Sequence, residues 1–162
     1  MKIIGIDPGS TGYVVQLDTE TREAWYMAIP YSRHNKIPDY DKLNKAFPDR
    51  TIDVWIEKLR GRSVWGSSVC FKFGTNNGLI RAWLYNRPFR EVDPKNWQKI
   101  AHRKTDNDKP KIKSWLAFKS INPNSTIRKS KDGLIDAFHI AAYGISHLTS
   151  KRIRDWTFIN KG

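Results

Sequence analysis

The chain has 162 residues, 29 of them Lys or Arg and 16 Asp or Glu, for a formal net charge of +13. This length suits one domain, spanning residues 1–162 and burying roughly two thirds of its surface, and the positive excess suits a polyanionic partner, nucleic acid first, because each neutralised phosphate releases counterions. Cys70 is the only cysteine, which excludes an intrachain disulfide and a Cys-rich zinc site; no apolar run nears the roughly 20 residues of a membrane span and no signal segment opens the chain, so no membrane partner and a soluble, cytoplasmic protein are expected.

Three short β-rich runs come first, Lys2 to Asp7, Tyr13 to Leu17 and Glu23 to Ile29, separated by Pro8-Gly9-Ser10 and Asp18-Thr19-Glu20. They read as an antiparallel meander. A helix is expected from Asp39 to Phe47, ended by Pro48, and a fourth strand from Ile52 to Glu57. Between Ser67 and Tyr85 the residues Val69, Phe73, Ile80, Trp83 and Leu84 recur at helical spacing. Gly74 and Gly78 each weaken that helix by about 1 kcal/mol, and lie on one face where another backbone could approach. A fifth strand, Phe89 to Val92, leads to a helix opened by Pro94 and running through Ala101. Helices from Lys111 to Ile121 and from about Asp132 to Leu148 follow a basic stretch at 102–113, and a basic tail closes the chain over 151–162. The order predicts an α/β fold: a mixed five-stranded sheet flanked by helices, as in the ribonuclease H arrangement.

Four acids stand out. Asp7 ends the apolar run Ile3-Ile4-Gly5-Ile6, and Glu57 ends Val54-Trp55-Ile56, so each carboxylate is placed at the end of a buried strand, where it is expensive unless compensated. Asp132 and Asp136, four residues apart, are neighbours on one face of a helix that is apolar nearly all round. Like charges about 4 Å apart repel by roughly 4 kcal/mol at an effective dielectric near 20, so acids brought together must protonate or bind cations. Oxygen-only ligation suits Mg²⁺ or Mn²⁺, and two such ions can activate water and stabilise the leaving oxygen in phosphodiester cleavage. The bland readings are a turn former for Asp7, a surface acid for Glu57, a helix N-cap for Asp132 and a paired structural acid for Asp136. His139, on the same stripe, reads as a packed or hydrogen-bonding histidine, and Cys70 as a small half-buried hydrophobe.

Three stretches, IIGIDPGSTG at the N-terminus, VWIEKL at 54–59 and KDGLIDAFHIAAYG at 131–144, resemble the RuvC family of Holliday-junction resolvases within the ribonuclease H-like nucleases; PKNWQKI at 94–100 and INP at 121–123 look closest to bacteriophage members. The resemblance implies a single RuvC-like nuclease domain acting as a homodimer that binds four-way DNA junctions and nicks two strands symmetrically with Mg²⁺ or Mn²⁺, two ions per site. Asp7 would bridge the ions, with Glu57 and Asp136 each a ligand. Many bacterial members place the fourth acid three residues before the last, a position held here by Gly133; Asp132, four before, would take that role if the chain follows the mitochondrial and poxvirus-like branch, where an acid at that spacing occurs.

Lys58, Arg60 and Arg62 beside Glu57 read as phosphate contacts, as do Arg103, Lys104, Lys109, Lys111 and Lys113 in the region where the family carries lysines that matter for DNA binding or catalysis. Lys72 joins them, and Phe71 is the better candidate than Phe73 for an aromatic that stacks on bases at the junction centre, Phe73 being in phase with the core. The DPGSTG turn also resembles the first phosphate loop of actin, heat-shock chaperones and sugar kinases. Those proteins need two such domains and a second phosphate loop, which 162 residues do not hold, so no nucleotide cofactor is expected. A broader nuclease of branched DNA, such as Y-forks and three-way junctions, and a non-catalytic junction-binding module are the alternatives.

Overall fold

A computed structural model describes residues 1–9, 11–32, 36–59, 66–103, 105, 109–149 and 154–162. The meander forms as strands β1 (Lys2–Asp7), β2 (Tyr13–Asp18) and β3 (Glu23–Ala28), each pair antiparallel. Helix α1 (Tyr40–Ala46) starts at Asp39, whose carboxylate accepts from the Lys42 amide as an N-cap. Strand β4 (Asp53–Glu57) pairs parallel with β1, and β5 (Phe89–Val92) parallel with β4, so a crossover helix, α2 (Ser67–Trp83), separates them in sequence. Helices α3 (Pro94–Ala101), α4 (Pro110–Ile121) and α5 (Asp132–Thr149) follow.

The sheet has six strands in the order β5-β4-β1-β2-β3-β6, which corrects the expected five. The sixth, β6 (Thr157–Asn160), is made by part of the segment expected to be a basic tail, and it pairs parallel with β3. Burial decides this: Trp156 is buried with the sheet's core and Phe158 packs against Phe118 and Phe138, while the main chain covers the edge that β3 would leave open. The charges of Lys151, Arg152 and Arg154 masked this short apolar run in the sequence.

Strand alternation sorts the core into two layers. Ile4, Ile6, Val54 and Ile56 face Leu43 and Phe47 of α1 and Ile80 and Trp83 of α2. Ile3, Val15, Leu17 and Trp55 face the other way, onto Trp97 of α3, Phe118 of α4 and the apolar face of α5. By the same alternation Asp7 and Glu57 belong to this second face. The N-terminal half of α2 departs from the expected core helix: Val69 is exposed, Phe73 is half-buried, and nothing lies within 4 Å of a Cβ placed at Gly74 or Gly78. Among the described residues, no helix is long and apolar enough to cross a membrane.

Candidate active site

Gly5 brings α5 down onto β1. A Cβ at this position would stand 2.3 Å from the Ala137 carbonyl oxygen and 2.4 Å from the Ala141 amide nitrogen, so only hydrogen at residue 5 allows the helix to cross the strand so closely. That crossing puts the first turns of α5 beside the end of β1. A Cβ at Gly133 would lie 2.5 Å from the Thr11 carbonyl oxygen and 3.1 Å from Asp7 Oδ2. Position 133 therefore has no room for a carboxylate, and Asp132, one residue earlier, is the acid that the first turn of α5 can offer.

The four acids sense one another. Burial raises the Asp7 carboxyl to about 6; the Gly9 amide donates to its Oδ1 at 3.1 Å and partly offsets this, and the charge of Asp132 adds to the rise. Asp136 is pushed up to about 7, first by burial and then by Asp7, with Glu57 and Asp132 contributing; a hydrogen bond from Ser114 opposes the shift. Its Oδ1 is buried without a hydrogen-bond partner. Asp132 is less enclosed. Burial would raise it, but the hydrogen bond and charge of Lys111 outweigh that effect and hold it below the ordinary carboxylate range. Its Oδ1 accepts from the Gly133 amide at 3.1 Å.

Among the described residues no three acidic, histidine or cysteine side chains converge tightly enough to clasp an ion in the arrangement the chain takes by itself. The donor set nevertheless fits a hard divalent cation: carboxylate oxygens from β1, β4 and α5, two of them destabilised as anions, and one buried oxygen with no partner. A cation would relieve each of these costs.

Two further residues hold the acids, and sequence reasoning assigned neither. Trp97 Nε1 donates to Glu57 Oε2 at 2.9 Å, from a buried indole in the first half of α3. Ser114, buried on α4, bonds to Asp136 and lies 2.9 Å from His102 Nε2, while its carbonyl oxygen accepts from His139 Nε2 at 2.9 Å. Since a carbonyl only accepts, His139 carries its proton on Nε2; the ring is fully enclosed, and burial lowers its pKa to about 4. The expectation of a packed, hydrogen-bonding histidine holds. Tyr31, also unassigned by sequence, has a phenol raised to about 12 by burial and by the charge of Asp7.

A test of the indole follows directly. Trp97→Phe keeps most of the packing and removes the donor to Glu57. On the expectation that Glu57 is a metal ligand of a nuclease, single-turnover DNA cleavage should fall by roughly 10- to 100-fold while the melting temperature moves by only a few degrees, the ordinary effect of losing a partner that orients a ligand. Unchanged cleavage would show that Glu57 needs no such support.

The basic candidates differ in exposure. Lys58 is exposed immediately after Glu57, Phe71 and Lys72 are exposed at the start of α2, and Phe71 at 78% exposure is the more solvent-facing of the two phenylalanines. Arg103, Lys109 and Lys111 are exposed and Lys113 is half-buried. Arg60, Arg62 and Lys104 lie outside the described residues. The apolar cavity walled by Trp97, Tyr143 and Trp156 counts none of the four carboxylates among its lining residues.

The chain matches no protein-family model and no curated protein sequence. Its fold is similar to that of Thermus thermophilus RuvC in complex with a Holliday junction substrate, at 16% identity and a TM-score of 0.63, covering 94% of this chain and 99% of that one. A second Thermus thermophilus RuvC structure aligns at 17% identity with a TM-score of 0.59, over 95% of this chain and 99% of that one. The fold is thus the mixed α/β, ribonuclease H-like fold of RuvC.

Proposed function

We propose that this protein is a divalent-metal-dependent endodeoxyribonuclease selective for branched DNA, with the four-way junction as its main substrate. The observation that carries this reading is that the charges of Asp7, Asp132, Asp136 and Glu57 act on one another across the end of the sheet, with the carboxyls of Asp7 and Asp136 raised to about 6 and about 7, in a chain of net charge +13. Acids gathered at a point and cations elsewhere suit hydrolysis of a phosphodiester by a protein that must also hold its polyanionic substrate. The fold similarity to a RuvC bound to a Holliday junction supports the choice of substrate.

Asp7, Glu57, Asp136 and Asp132 would hold Mg²⁺ or Mn²⁺, two ions per site. When bound, these ions would supply activation of the attacking water and neutralise charge on the leaving oxygen. The protein's own part is positional: Trp97 orients Glu57, Ser114 orients one side of Asp136, and the close crossing at Gly5 holds α5 against β1. Lys58, Lys72, Arg103, Lys109 and Lys113, with Arg60, Arg62 and Lys104, would contact phosphates, and Phe71 would stack on an opened base. A homodimer would place two such sites on the two strands to be nicked.

Synthetic four-way, three-way, forked and linear DNA incubated with Mg²⁺ tests the reading, with Asp7→Asn alongside. The four-way junction should be cut in preference to linear duplex, with paired symmetrical nicks, and Asp7→Asn should cut nothing while still binding. Equal cutting of forks and three-way junctions would favour the broader debranching nuclease. Linear DNA cut as fast as the junction would remove structure selectivity, and normal cutting by Asp7→Asn would remove the metal site.

A further inference from the structure

Helix α4 begins against its own electrostatics. Its N-terminal end carries the positive pole of the helix dipole, where acids stabilise and cations are unfavourable. Yet Lys109 is its N-cap residue, Lys111 and Lys113 follow, no acid occupies the first turn and no side chain caps the amides. Such an end is less costly when it faces negative charge. It does: Lys111 Nζ forms an ion pair with Asp132 Oδ2, and its charge also acts on Asp7 and Asp136. The ammonium therefore sits at the outer edge of the carboxylates that the proposed function assigns to divalent ions.

We propose that Lys111 is the resident counter-cation of the carboxylate cluster, holding Asp132 in the metal-free protein and competing with the divalent ion for it. Two observations support a displaceable contact and not a permanent structural pair. Lys111 remains 78% exposed and Asp132 38% exposed at the side chain, so solvent screens the pair and weakens it. Asp136, by contrast, keeps a buried oxygen without a partner, so the ammonium satisfies only the outer part of the cluster. Once displaced, Lys111 stays tethered to the first turn of α4, within one side-chain length of the site, in a position to meet a phosphate of the bound strand. This role rests on the metal-site reading.

The test uses Mn²⁺ alone, titrated into the full chain by calorimetry and by the electron paramagnetic resonance signal of free Mn²⁺, without DNA. Lys111→Met removes the charge and keeps the length; Lys113→Met, on the same turn but with no ion pair to Asp132, reports the general effect of one fewer positive charge. Lys111→Met should bind Mn²⁺ roughly fivefold more tightly than the wild type. Lys113→Met should change affinity by less than about twofold, the shift expected of screened charges outside the pair. Without metal, Lys111→Met should also melt slightly lower than the wild type, and saturating Mn²⁺ should close that gap. Equal affinities for wild type and Lys111→Met, or an equal gain in both variants, overturn the competition. If none of the three proteins binds Mn²⁺, the metal-site reading fails and this role falls with it.

Discussion

Replacing Asp136 by asparagine is expected to abolish cleavage and, at neutral pH, to raise the melting temperature. The carboxyl is raised from 3.8 to about 7, by burial first and then by the charge of Asp7, so its ionised form is resisted by the fold. The unfolded chain releases this proton near pH 4 and the native protein near pH 7. Between those values the native state binds more protons, and stability falls as pH rises. At higher pH the whole difference applies, roughly 4 kcal/mol from a shift of this size. Asparagine cannot ionise but remains a partly buried amide, so the expected net gain is about 1–2 kcal/mol, or roughly 5 °C for a chain of this length.

Calorimetry of wild type and Asp136→Asn at pH 5 and pH 7.5, with a cleavage assay beside it, checks both halves. The gain should be clear at pH 7.5 and much smaller at pH 5, while cleavage drops by ~10³-fold or more because a proposed metal ligand has been lost. Mg²⁺ should stabilise the wild type and, when chelated, release that stabilisation; the variant should respond far less. A variant less stable than the wild type at pH 7.5, or a gain that does not vary with pH, would contradict the account of Asp136 as a strained anion.

Gly5→Ala is expected to be strongly damaging for a single added methyl. The added carbon would stand 2.3 Å from the Ala137 oxygen and 2.4 Å from the Ala141 nitrogen, both backbone atoms of a buried helix that cannot rotate away. Either α5 lifts from β1 or the strand is pushed out of the sheet, and in both cases the packing of Ile3, Phe138 and Ala141 opens. A loss of about 3 kcal/mol or more in chemical denaturation is expected, at the upper end of what overpacking does. The variant should lose cleavage even under conditions where it remains folded, because the crossing also sets the separation of Asp7 from Asp136. A stability change below about 1 kcal/mol would mean that α5 does not cross β1 this closely.

Much of the site was readable because its signals are local. An acid at the end of an apolar strand is conspicuous at Asp7 and Glu57, and a spacing of four on an apolar helix is conspicuous at Asp132 and Asp136. Alternation along β1 and β4 even predicts which face those acids share, and the structure places that face against α5. Where the sequence misled, composition spoke louder than burial. The charges after α5 suggested a solvated tail, whereas Trp156 and Phe158 tie the following residues into a sixth strand. In α2 the helical period was correct, but Val69 had no sheet beneath it to bury against.

What the sequence by itself determined, then, is the order of the elements through α5, the placing of two acids at strand ends and two on one helix face, and the basic charge of the chain, since each depends on neighbours within a few residues. Only the tertiary structure decided that Gly5 is the contact point for α5, that Gly133 leaves no room for an acid, that Trp97 and Ser114 hold Glu57 and Asp136, and that Lys111 faces carboxylates. Trp97 and Glu57 are 40 residues apart, and Lys111 and Asp132 are 21 apart. Contacts across such intervals leave no period in the chain; they exist because burying the apolar faces of the helices on one sheet forces particular backbone positions together, whatever lies between them.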